Sequence, residues 1–210
     1  ETERCLEERL SALGTTVEFS PPDSFPPVTD ITGGGPFGLS PGQWTDDTSM
    51  AMCLAESLLT VGGFDAHDQM TRYVRWYREG HWSSTGRCFD IGGVVRRALT
   101  AFERGDAPPW GPTDEYSGGN GSLMRLAPVP NFWHRHPELA IRMAAESSRT
   151  THGTAAAVDA CRVACAIMIG ALHGVPKHEL LAPMYTPVAG LWDREPLHPR
   201  IAEVAMGSYH

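Results

Sequence analysis

Residues 154–173 read TAAAVDACRVACAIMIGALH, the longest run of small and apolar side chains in the sequence. Ala, Val, Ile, Met and Cys fall on most sides of a helix drawn through it, which predicts a central helix buried from several directions. Cys161 and Cys165, four residues apart, share one side of that helix. No second Cys or His pair accompanies them, so they read as a core pair rather than a metal pair. No stretch of about 18 apolar residues is expected to cross a membrane.

Helical spacing recurs on both sides of this run. Residues 47–60 set Met50, Leu54, Leu58 and Val61 near one face, with Met52 and Leu59 broadening it. Residues 66–78 repeat the pattern through Met70, Tyr73, Val74 and Tyr77, and Gly80 is the natural stop. Ile91, Val94, Val95, Ala98, Leu99 and Phe102 give residues 91–104 the same character, closed by Gly105. Pro137 opens another helix over 137–147, and a short one is expected over 177–184. Strand-like alternation is scarce, and the reading is an all-α chain. Gly- and Pro-rich connections fill 20–43, 106–121 and 186–199. Loops of that length are usually functional or disordered, and two of these run directly into polar motifs.

With 210 residues, 41% hydrophobic and 20% charged, the chain suits one folded domain. Seventeen Lys and Arg against 25 Asp and Glu leave a net charge of −8. That balance argues against nucleic acid as a partner but allows a small anion in a local pocket. The five cysteines (Cys5, Cys53, Cys88, Cys161 and Cys165) are odd in number and scattered, as expected of reduced thiols. The first residues, Glu1 to Arg4, do not resemble a signal peptide, and a cytoplasmic location is expected.

Three motifs carry chemistry. In GQWTDDT, residues 42–48, Thr45, Asp46 and Asp47 stand at the start of an amphipathic helix. They read either as a cap with two acids against the positive helix end, or as hard oxygen ligands for Mg²⁺. In YSGGNGSLMR, residues 116–125, consecutive glycines let backbone N–H groups converge on an anion, and Ser122 adds a hydroxyl. Arg125 suits either a phosphate or a structural salt bridge. In SSRTTHG, residues 147–153, hydroxyls and His152 precede the long helix, as caps or as ligands for phosphate or sugar oxygens. Asp90 reads as an N-cap, and Glu18 is a single carboxylate between apolar residues.

In this order and approximate spacing, residues 14–19, 33–52, 82–92, 118–128 and 147–153 resemble the ADP-ribosylglycohydrolase family. The likeness is to its bacterial branch with the dinitrogenase reductase-activating glycohydrolase. The resemblance implies a single, compact, orthogonal helical bundle spanning residues 1–210. It implies two ions of Mg²⁺ or Mn²⁺ and hydrolysis of the bond at C1″ of the distal ribose of an ADP-ribosylated protein. By that likeness Thr45, Asp46 and Asp47 are metal ligands, and Glu18, Asp46 and Asp47 are catalytic. Gly119, Asn120, Gly121, Ser122 and His152 cradle ADP-ribose, with Asp90 at the rim and Tyr116 against adenine.

Two departures stand out. The Gly-Asp pair expected before residue 14 is absent from the stretch of residues 5–14. The late Asp-x-Asp-Thr/Ser motif that completes the family's metal site does not occur, so the domain is expected to be incomplete at its C-terminus or degenerate. The expected functions are therefore a metal-dependent ADP-ribosyl hydrolase, an impaired ADP-ribose-binding relative, or another enzyme on the same scaffold.

Overall fold

A computed structural model describes residues 30–207. Its helices are α1 (Asp46–Val61), α2 (Ala66–Glu79), α3 (Gly93–Glu103), α4 (Pro128–Trp133), α5 (Pro137–Arg149), α6 (Ala155–Leu172), α7 (Lys177–Leu180), α8 (Leu191–Arg194) and α9 (Pro199–Ala205). Among the described residues β-structure is confined to one isolated bridge, Gly34 with Leu39. The all-α reading holds. Glu18 and Cys5 lie outside the described residues.

Local chemistry sets the helix boundaries. Asp65 caps α2 by accepting from the Asp68 N–H at 2.9 Å, and Thr154 caps α6 by accepting from Ala157 at 3.2 Å. Gly62 and Gly80 end α1 and α2 in the left-handed region. Proline stands in the first turn of α4, α5 and α9, where its missing N–H leaves no bond unmade. The sequence did not signal α4, α8 or α9: each is a turn or two long, too short for a hydrophobic period to register. Residues 186–199 are consequently not a plain loop, and the helix expected over 177–184 stops at Leu180.

The run that opened the sequence reading becomes α6, packed chiefly on α5 and touching α4, α7 and α9. Cys161, Cys165, Ala166 and Ile169 are fully enclosed. By length and composition alone α6 suffices to cross a membrane, which corrects the expectation from sequence, but half of it is buried in the bundle. Its two charged residues are used internally. Arg162 donates to Asp159 at 2.8 Å and to Glu195 at 2.6 Å, and Asp159 accepts from the His198 N–H at 2.6 Å. These bonds fasten the segment carrying α8 and α9 to the central helix.

The core continues through Met50, Leu54 and Leu58 of α1, Met70, Tyr73 and Trp76 of α2, and Val95 and Leu99 of α3. The apolar stripe of α1 is narrower than its spacing predicts. Met52, Leu59 and Val61 are exposed, because α1 packs principally on α2 and α4 and its other side faces outward. Replacing Ile169 by Ala at the centre of α6 is expected to cost about 2–5 kcal/mol in urea unfolding. A loss below about 1 kcal/mol would show that α6 is not the packed centre of the fold.

Candidate functional site

Thr45 precedes α1 with extended backbone, but its side chain makes no capping bond. Its hydroxyl turns instead toward Asp47, 3.3 Å from Oδ2, so the capping role expected of Thr45 is not realised. Asp46 is buried. Burial, then the neighbouring carboxylates of Asp47 and Asp90, push the Asp46 carboxyl up to about 8. Asp90 is also raised, by burial and by Asp47. Three carboxyl groups thus share one small region, and among the described residues no cation side chain offsets them.

Asp90 does not cap α3, contrary to expectation; Gly92 does. Asp90 has φ of 55°, a left-handed conformation that costs a non-glycine residue about 1–2 kcal/mol. The segment before it is firmly held. The Trp44 indole donates to the Trp82 carbonyl at 3.0 Å, and the Ser84 hydroxyl donates to the Trp44 carbonyl at 2.6 Å. Glu56 of α1 accepts from Arg72 at 2.9 Å and from Trp82 at 2.9 Å and pairs with His81 at 2.6 Å. Although partial burial opposes ionisation, the bonds from His81, Trp82 and Arg72 hold the Glu56 carboxyl down to about 2. Gly80 permits the turn to close, since a Cβ there would lie 2.2 Å from the Gly86 carbonyl oxygen. Sequence reading missed Glu56, an acid in mid-helix whose three partners become neighbours only on folding.

The second part of the site is the glycine loop. Among the described residues, none of the backbone N–H groups of residues 118–122 donates a hydrogen bond. Gly119 and Asn120 are exposed, while Gly121 and Ser122 are buried. The His152 ring lies against the loop: a Cβ on Gly121 would fall 2.7 Å from Cε1, and one on Gly119 3.5 Å from Nε2. Only glycine allows that approach at position 121, whereas the distance at 119 is an ordinary contact. Burial and the Arg125 cation push His152 down to about 4, so the imidazole is neutral at neutral pH. Its Nδ1 lies 3.0 Å from the Thr151 hydroxyl, and Nε2 faces the loop.

The hydroxyls around His152 turn inward. Ser148 Oγ lies 2.9 Å from both Ser122 Oγ and the His152 carbonyl, and Thr150 Oγ1 donates to the Ser147 carbonyl at 2.7 Å. Ser122 is therefore placed beneath the loop, at the α5–α6 junction. Arg125 is wholly buried, and among the described residues it pairs with no acid. Its guanidinium donates to the carbonyls of Gly121 and Ser147 and to Thr150 Oγ1. Tyr116 is 98% exposed in a 3₁₀ turn at Glu115–Ser117, tied down by the Ser117 hydroxyl donating to Asp114 at 2.6 Å.

Both parts meet the N-terminal end of α3. Asp90, beside Asp46 and Asp47, stands three residues before the helix begins, and Val95 in its first turn lies 3.1 Å from where a Gly121 Cβ would be. An acidic end and an amide-lined end are thus held on a common support.

A family model described as ADP-ribosylglycohydrolase matches residues 11–208. The chain belongs to the ADP-ribosylglycohydrolase family. It is 44% identical over 172 residues to the ADP-ribosylarginine hydrolase Tri1 of Pseudomonas putida, covering 82% of this chain and 46% of that protein. It is 31% identical over 154 residues to the ADP-ribosyl-[dinitrogen reductase] glycohydrolase of Rhodospirillum rubrum, covering 71% and 50% respectively. A solved structure titled ADP-ribosylglycohydrolase-related protein complex superposes with a TM-score of 0.75 at 40% identity, covering 97% of this chain and 63% of its own. The chain spans about half the length of the curated relatives it matches.

The donor set at the acidic end suits a hard divalent cation: the carboxylates of Asp46 and Asp47 and the hydroxyl of Thr45 are oxygen ligands, and Mg²⁺ retains waters for its remaining positions. Among the described residues no group of three His, Cys, Asp or Glu side chains converges on one metal position. Thr45, Asp46 and Asp47 would supply only a few of the positions around such an ion.

The crowding of carboxyls makes a stability prediction. The Asp46 carboxyl lies above its ordinary 3.8, so its contribution is full below that pH and is lost as pH rises toward about 8. Without metal, Asp46→Asn is expected to raise the melting temperature at pH 8 by about 2–4 °C for each kcal/mol of repulsion relieved. It should also flatten the decline between pH 4 and 8. A variant that melts lower at pH 8, with an unchanged pH slope, would contradict the geometry of the cluster.

Proposed function

We propose that this chain recognises ADP-ribose and supplies one part of the metal site of a hydrolase that removes ADP-ribose from modified protein side chains. The observation that carries this reading is the pairing, at one end of α3, of a carboxyl cluster around buried Asp46 with a loop whose amides find no partner among the described residues. ADP-ribose has complementary parts: a pyrophosphate that takes backbone N–H donors and ribose hydroxyls that take a metal.

On this reading the pyrophosphate rests on the N–H groups of Gly119, Asn120 and Gly121. Neutral His152 offers Nε2 to a sugar or phosphate oxygen, and Ser122 supports the loop from below. Exposed Tyr116 presents a ring face for adenine, and Asp90 stands at the rim near the distal ribose. Thr45, Asp46 and Asp47 would hold Mg²⁺ or Mn²⁺. Such an ion would supply Lewis acidity toward ribose hydroxyls and water. The reaction breaks the bond between C1″ and the side-chain atom, water supplying hydroxyl to C1″ and a proton to the leaving group. The oxocarbenium-like centre is stabilised by nearby negative charge, for which the acidic end is suited, with Glu18 assigned by resemblance.

The names of the curated relatives point to arginine as the modified residue. A cytoplasmic location and a modified-protein substrate complete the proposal. A second reading is a binding module without turnover, favoured by the lack of three converging metal donors among the described residues.

An arginine-ADP-ribosylated protein incubated with this chain and Mg²⁺ is expected to release free ADP-ribose, detected by mass spectrometry. EDTA or Asp46→Ala should abolish release. Binding of ADP-ribose by calorimetry without release selects the second reading. Neither release nor binding rejects both.

A further inference from the structure

Arg125 is the one charged side chain in the described structure with no exposed surface at all. Its Nη1 donates to the Gly121 carbonyl at 3.1 Å. Its Nη2 donates to the Ser147 carbonyl at 3.2 Å and Thr150 Oγ1 at 3.0 Å. Its planar group stacks 4.6 Å from the centroid of the Tyr73 ring. Every acceptor is neutral, and no described carboxylate pairs with it.

We propose that Arg125 is a positioning residue for the anion-binding loop, fixing the Gly121 peptide and setting a buried positive charge beneath the unpaired amides of residues 118–122. The inference rests on the reading of that loop as the ADP-ribose cradle. Three observations support it.

First, a trans peptide points its C=O and N–H in opposite directions. Drawing the Gly121 carbonyl onto the guanidinium therefore turns the Ser122 N–H away from it, and fixes the peptide plane on which the loop amides are hung. Second, removing a cation from water is costly unless something negative offsets it. Within the protein the offset comes from the last carbonyls of α5, the negative end of that helix, to which Ser147 belongs. An anion on the loop supplies the remainder, so charge burial and ligand binding favour one another. Third, the bonds join two separate elements, the loop and the α5 terminus. A planar fork can serve both at once, whereas an ammonium is a point charge on a flexible stem.

The test compares wild type with Arg125→Lys, and with Thr150→Val, which removes one acceptor and keeps the arginine. Two properties are read: ADP-ribose affinity by calorimetry, and ¹⁵N order parameters of residues 118–122 without ligand. In folded Arg125→Lys, affinity should fall by about tenfold or more, the loss expected for a charge-assisted hydrogen bond. Its loop order parameters should drop to below about 0.6. Thr150→Val should weaken binding by about threefold, and it decides the matter if Arg125→Lys does not fold.

A residue that merely stabilises the fold would lower the melting temperature of both variants and leave these two properties in place. Folded variants with affinity within about twofold of wild type and unchanged order parameters would overturn the proposal. Wild-type protein that takes no ADP-ribose would reject the functional reading instead, and the ligand-free order parameters would still decide whether Arg125 positions the loop.

Discussion

A guanidinium buried among neutral oxygens is the constraint around which this half of the molecule is arranged. Arg125 ties the glycine loop to the α5 terminus, stacks on Tyr73 of α2 and helps keep His152 uncharged. Each contact is to a different element, so the charge acts as a junction. Moving the Gly121, Ser147 or Thr150 acceptor would leave a buried donor unsatisfied, a loss of about 1–3 kcal/mol, more for a charged group. That cost fixes the geometry of an otherwise permissive run of glycines.

The opposite sign is concentrated at the start of α1. There the fold forces Asp46, Asp47 and Asp90 together, at a cost borne by an Asp46 carboxyl raised to about 8 and an Asp90 backbone in the left-handed region. The network of Glu56 with Arg72, His81 and Trp82 keeps the strained segment in place. An amide-lined end over a buried cation and a carboxyl-lined end without one make the site a dipole. ADP-ribose with a divalent cation at its distal ribose has the complementary arrangement, and this unites the two halves under the proposed function.

Much of this was legible in the sequence. The spacing of Met50, Leu54 and Leu58 located α1, and Gly80 and Thr154 marked boundaries that the structure keeps. The motifs around Asp46, Gly119 and His152 singled out segments that the fold gathers near the N-terminal end of α3. What could not be read was the direction in which polar side chains turn. Thr45 and Asp90 have the composition of caps, but Thr45 stands at the N-cap with its hydroxyl turned to Asp47, and the N-cap of α3 is Gly92 rather than Asp90. Arg125 offered a choice between phosphate and salt bridge, and among the described residues its partners are neutral oxygens. Val61 and Leu59 fit a helical stripe that lacks a neighbour to cover it.

That one ligand spans the two ends of the site is tested most directly by a crystal structure of this chain grown with ADP-ribose and Mg²⁺. Pyrophosphate oxygens are expected on the backbone N–H groups of residues 118–122, with the distal ribose directed toward Asp46 and Asp47. ADP-ribose bound away from the loop, or bound there with its distal ribose turned from the carboxyl cluster, would contradict it.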